Sequence, residues 1–115
     1  MGLVTVESIF VHSTIDYLKT ESISLQTLIR ESENIDTKTL QIKLNEFDEK
    51  WMEKENVLCL VINHKDMERV GEQIKKLKTL SRQNDKIQAE QEIDLLVYYI
   101  SGYDHFAKIS FQNIF

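Results

Sequence analysis

The sequence predicts an all-α protein, an antiparallel (up-down-up-down) four-helix bundle, and three observations carry that prediction. The 115 residues contain no proline and only three glycines, too few turn formers for a sandwich or a barrel. Apolar residues recur at helical spacing along nearly the whole chain. Polar, cap-bearing breaks divide it into four helix-length segments, and their short connections favour antiparallel neighbours. With 42% hydrophobic residues the chain is too apolar for disorder. Its 13.6 kDa scale to roughly 6,600 Å² of folded surface against roughly 19,700 Å² unfolded. That burial supports one core, so residues 1–115 are expected to form a single helical domain.

The first helix, about 4–32, follows from a seam of Val4, Ser8, Val11, Ile15, Leu18, Ser22, Leu25 and Ile29. Their alternating spacing of four and three is the heptad rhythm of a packed helix, and the serines permit a close neighbour. Asn34 and Asp36 are N-cap residue types within a polar break. A second helix, 37–62, then runs on Leu40, Leu44, Phe47, Trp51, Leu58 and Ile62. Asp66 is expected to cap a third, 66–83, built on Met67, Val70, Ile74, Leu77 and Leu80 or Ser81. Gly71 lies inside this helix at a cost of roughly 1 kcal/mol, which points to a close helix crossing. Asp85 and Gln88 fit a capping box that opens the fourth helix. That helix, 86–108, carries Ile87, Ile93, Leu96, Tyr99, Ile100, Tyr103 and Phe106. A short tail, 110–115, closes the chain. Cys59 lies in the apolar run 57–62 and reads as a buried, inert thiol.

Charge narrows the function classes. The net charge of −5 opposes general nucleic-acid binding, which needs a basic footprint. The average conceals a segment, 65–86, with seven basic and four acidic side chains. Within it Lys75, Lys78, Arg82 and Lys86 recur at spacings of three, four and four, a stripe able to attract a nucleic-acid backbone, anionic lipid or an acidic partner, or simply to solvate one face. No apolar run exceeds six residues where a membrane span needs about 20. Phosphate-binding loops, nucleophile elbows, His-Glu-x-x-His and Cys-x-x-Cys motifs do not occur in the sequence. Nor does any of the three histidines follow a glutamate by three residues, as four-helix di-iron sites require. No catalytic residue and no cofactor is therefore expected, and the protein is not expected to be an enzyme.

Three polar or aromatic groupings remain. His12 and Asp16, like His64 and Glu68, are four apart and share a helical face. With His105 they fall at one end of the expected bundle, where imidazole and carboxylate together suit a zinc-like ion. The plainer reading is a solvated polar end. The aromatics Phe47, Trp51, Tyr98, Tyr99, Tyr103 and Phe106 read as core or as a ligand pocket, and Tyr98 and Tyr99 cannot both face inward. Phe111, Ile114 and Phe115 put large apolar groups in the tail, which either folds back or docks elsewhere.

A helix with a central Trp51, the turn Ile62-Asn63-His64 and the closing Ser110-Phe111-Gln112-Asn113-Ile114-Phe115 resemble the domain-of-unknown-function 4363 family of small bacterial helical proteins. The resemblance covers most of the chain. It brings no catalytic residue, and this sequence has Asn63 where the family shows Asp. It implies a membrane tether ahead of the first helix and a soluble domain on the extracytoplasmic side. Such a tether would place the histidine end and the tail nearest the bilayer, with Lys75, Lys78, Arg82 and Lys86 pointing away. The expected function is then non-enzymatic contact with an unknown protein partner, with the basic stripe the candidate for partner contact and the tail with Phe111 and Phe115 the candidate for membrane contact. The alternative is a small-ligand or metal-binding bundle using the histidine end.

Overall fold

Apolar spacing resolves into five helices in the computed structural model: α1 Gly2–Glu31, α2 Lys38–Glu53, α3 Glu55–Leu58, α4 His64–Arg82 and α5 Lys86–Ile114. The structure describes the backbone of residues 2–60 and 62–114 and the side chains of 11–60 and 62–109. No strand occurs among the described residues. Helices α1 and α5 pack along one another, α4 packs on α5, α2 on α4 and α1 on α2, while the short α3 lies on α1. Side-chain contacts fix the directions. Lys19 meets Asp104 and Arg30 meets Asp94, so α1 and α5 are antiparallel. Arg69 over Tyr99 and Lys76 on Glu92 do the same for α4 and α5.

The seam positions of α1 from Val11 onward are buried as expected, Ser22 included. Val4 and Ser8 lie outside the described side chains. From α2 to α4, Leu40, Leu44, Phe47, Trp51, Leu58, Ile62, Met67, Val70, Ile74, Leu77, Leu80 and Ser81 complete the core. The accessible surface, 7112 Å², exceeds the roughly 6,600 Å² typical of this mass because the molecule is drawn out to 50 × 23 × 21 Å.

Several expectations need correction. The helix expected over 37–62 is interrupted at Lys54 (φ −97°, ψ 6°), which separates α2 from α3. Residues 52–56 contain no buried side chain, so no packing holds a straight helix there. Cys59 is exposed rather than buried. Within the run 57–62 only Leu58 and Ile62 are buried among the described residues; α3 ends at Leu58, and Cys59 lies just beyond it. The expected tail is instead the end of α5, which continues to Ile114; nothing in 108–114 is a proline or glycine to stop it.

The caps also shift by a residue or more. Thr37, not Asn34 or Asp36, caps α2, its hydroxyl accepting from Leu40 N–H at 3.3 Å. Asn63, not Asp66, caps α4, accepting from Asp66 N–H at 2.9 Å. Asp85 caps α5 as expected, accepting from Gln88 N–H at 3.3 Å.

One end of the molecule is closed by backbone-directed bonds. Asn84 adopts φ 55°, and Asp85 N–H reaches Leu80 C=O at 2.9 Å while Asn84 N–H reaches Ser81 C=O at 3.1 Å. This is the Schellman pattern, with asparagine in the left-handed position that glycine usually fills. The same Asn84 carboxamide accepts from Ile35 N–H, and the buried Ser81 hydroxyl donates to Ile35 C=O.

Candidate functional site

At the opposite end a charge lies inside the protein. Asp104, on α5, is 1% exposed. Lys108 lies 3.1 Å away, Lys19 of α1 3.3 Å and His12 Nδ1 3.7 Å. Burial pushes the Asp104 carboxyl up, but hydrogen bonds and charge from Lys108 and Lys19 outweigh it and hold the group below its ordinary value. His12 Nδ1 and Asp104 Oδ1 face each other, and neither has a hydrogen-bond partner among the described residues. The arrangement joins α1 to α5 electrostatically.

The residues considered for a metal are not brought together. His12 faces Asp104, not Asp16, which is exposed. His64 and Glu68 do pair, at 2.9 Å, on the outside of α4. His105 is exposed on α5. Among the described residues no group of three or more His, Cys, Asp or Glu side chains is placed to hold a metal ion. Sharing one end of the molecule is a coarser condition than sharing one point: histidines on three different helices face three different ways.

The basic stripe is also divided by the fold. Lys78 binds the buried Asp48 of α2 at 2.9 Å. Lys86 donates to Arg30 C=O at 3.1 Å and Ser32 C=O at 2.7 Å, satisfying carbonyls at the end of α1. Arg82 reaches back to the Thr79 hydroxyl at 3.1 Å, while Lys75 is exposed. Two of the four cations therefore bind helix to helix. Phe111 and Phe115 lie outside the described side chains.

The aromatics separate into two classes. Phe47 and Trp51 are core. A Cβ added at Gly71 would lie 3.9 Å from Trp51 Nε1, an ordinary contact, so the packing of α4 on Trp51 does not require the glycine that the sequence suggested marks a close crossing. Tyr98 and Phe106, by contrast, are 72% and 57% exposed, and Ile87, expected in the core, is exposed too. The inner face of α5 is formed by Ala89, Ile93, Leu96, Ile100, Asp104 and Ala107.

On the outer face, Leu95, Tyr98, Gly102, Phe106 and Ile109 follow one another at spacings of three, four, four and three. All five are exposed, forming an apolar stripe. Beside it a groove of about 650 Å³ opens between α4 and α5, lined by Arg69, Tyr98, Tyr99, Gly102, Tyr103 and Phe106, with Asn63, Asp66 and Ser101 at its edges.

The groove wall is held in place. The Arg69 guanidinium pairs with Asp66 at 2.9 Å and stacks 5.1 Å from the Tyr99 ring centre. Tyr98 meets Tyr99 edge-on at 5.9 Å. Burial, then the Asp66 charge, raises the Tyr103 pKa, so its phenol is protonated at neutral pH. Its buried hydroxyl has no partner among the described residues. The groove presents aromatic faces, a phenol and a guanidinium. Sequence reasoning required that one of Tyr98 and Tyr99 face outward, which is Tyr98, and missed Leu95, Gly102 and Ile109; their shared spacing was the available signal.

No curated protein and no solved structure matches this chain. The family model described as "Domain of unknown function (DUF4363)" matches residues 12–114, from the histidine that faces Asp104 to the last residue of α5. On that match the chain belongs to the DUF4363 family.

Proposed function

We propose that this is a non-enzymatic contact domain, a four-helix up-down-up-down bundle acting through the outer face of α5. In this reading α1, α2, α4 and α5 form the bundle and α3 is an appendage of α2. The observation that carries the proposal is the apolar stripe of α5. Large apolar groups gathered on one exposed helix face mark interaction sites, whereas scattered ones need no explanation. A protein partner fits better than nucleic acid, because the chain is acidic and Lys78 and Lys86 are engaged internally. The family resemblance supports a tethered domain on the extracytoplasmic face of a bacterial membrane, with its tether ahead of α1.

A photo-crosslinking residue at position 98, in protein produced in its native cell, tests this reading. Protein adducts are expected from position 98 and not from position 17, an exposed tyrosine on α1 beside Lys50. Adducts from neither position, or equally from both, would overturn it.

A further inference from the structure

The stripe on α5 has an internal symmetry. Leu95 and Ile109 lie seven residues either side of Gly102, and Tyr98 and Phe106 lie four either side. At 100° per residue all five fall within about 40° of one line along the helix, on the side away from Ile93 and Ile100. Turning the helix end over end about Gly102 therefore superposes apolar residue on apolar residue. A surface with that property is complementary to itself, as a two-fold interface must be.

We infer that the occupant of this face is a second copy of the chain, with α5 packed antiparallel on α5 and the two-fold axis passing beside Gly102. This rests on the contact reading above and names its partner. In that arrangement Leu95 of one copy comes level with Ile109 of the other, Tyr98 with Phe106, and Gly102 with Gly102. The glycine suits the axis, where two helices approach most closely and a Cβ from each would collide. Its own surroundings do not require it, since a Cβ added at Gly102 meets nothing within 4 Å.

The area is appropriate as well. Leu95, Tyr98, Phe106 and Ile109 are 43%, 72%, 57% and 44% exposed, which amounts to roughly 430 Å² of apolar side chain per copy. A standard interface buries about 800 Å² on each side, with a polar rim around an apolar centre. His105, exposed next to Phe106, and Ser101 and Tyr99 at the groove edge supply that rim. Charge does not oppose the pairing. Asp94, the acidic residue bordering the stripe, is paired with Arg30 at 2.8 Å, and Lys108 with Asp104.

Disulfide trapping reads the axis directly. The thiols are introduced in a Cys59→Ser background, which removes the exposed native thiol, and the chains are then mildly oxidised. The Leu95→Cys and Ile109→Cys chains should each stay largely monomeric alone and cross-link when mixed. Gly102→Arg places a charge on the axis without touching the core, and is expected to weaken association more than tenfold with an unchanged helical spectrum.

A chain that sediments as a monomer up to high micromolar concentration, or a Leu95→Cys chain that self-pairs as readily as it pairs with Ile109→Cys, overturns the inference. If that monomer still gives adducts to another protein from position 98, the contact reading survives and only the identity of the partner falls. If no adducts form either, both fall.

Discussion

The two faces of α5 are both apolar, and they are built differently. The inner face is aliphatic and small, with Ala89, Ile93, Leu96, Ile100 and Ala107 all 1% exposed or less, around one buried carboxylate, Asp104. The outer face is mostly large or aromatic side chains arranged about a glycine, Gly102. Alanine and β-branched residues let α1 and α4 pack closely, and one ion cluster ties α1 to α5. Tyrosine, phenylalanine and an uncovered glycine contribute little to a monomer's core. In the reading proposed above, the two aromatic rings are rigid contact area whose ordering costs little conformational entropy. Apolar content alone does not distinguish a buried face from an exposed one; position on the helix does.

The comparison can be broken most directly from the inside. Leu96→Ala should cost about 3 kcal/mol, lowering the melting temperature by about 10 °C or more; a loss below about 1 kcal/mol would mean that the inner face is not the core. Asp104→Ala comes next. It leaves Lys19 and Lys108 without their shared partner, and because both lysines are partly exposed the cost should be about 2 kcal/mol in chemical denaturation.

Acid should reach the same cluster. The Asp104 carboxyl is held below its ordinary value of 3.8, so its contribution is complete above that value and is lost as pH falls through the depressed one. Wild type should therefore lose stability below about pH 4 more steeply than Asp104→Asn. Parallel curves would show that Asp104 contributes nothing by its charge.

Smaller effects are expected outside. Gly102→Ala should raise the stability of the monomer by about 0.5–1 kcal/mol, since the Cβ meets nothing and alanine favours the helix. The same substitution should weaken self-association, so the two readouts move in opposite directions. Tyr98→Ser should change monomer stability by less than about 0.5 kcal/mol while weakening association.

Much of this was legible in the sequence. The seam of α1 and the apolar ladders of α2 and α4 could be read because their buried residues keep one helical phase, with Tyr17, Ile23, Ile42 and Met52 exposed off it. Helix α5 could not be read so simply, because it has two apolar faces. Ile87 and Phe106 look like core residues by type, yet they are out of phase with Ile93, Leu96 and Ile100. The in-phase positions hold Ala89, Asp104 and Ala107, which a count of large apolar residues passes over. Cys59 failed for a related reason, since a continuous apolar run conceals which of its residues the fold turns inward. The stripe about Gly102 was visible as spacing, but only packing shows which face of α5 is left uncovered.

The central claim is that the outer face of α5 pairs with itself about Gly102, and sedimentation equilibrium of the wild-type chain beside Gly102→Arg tests it most directly. The account predicts a concentration-dependent monomer–dimer equilibrium for wild type across the micromolar range and a monomer for Gly102→Arg, both with the same helical content. Wild type that remains monomeric, or a Gly102→Arg chain that dimerises equally well, would contradict it.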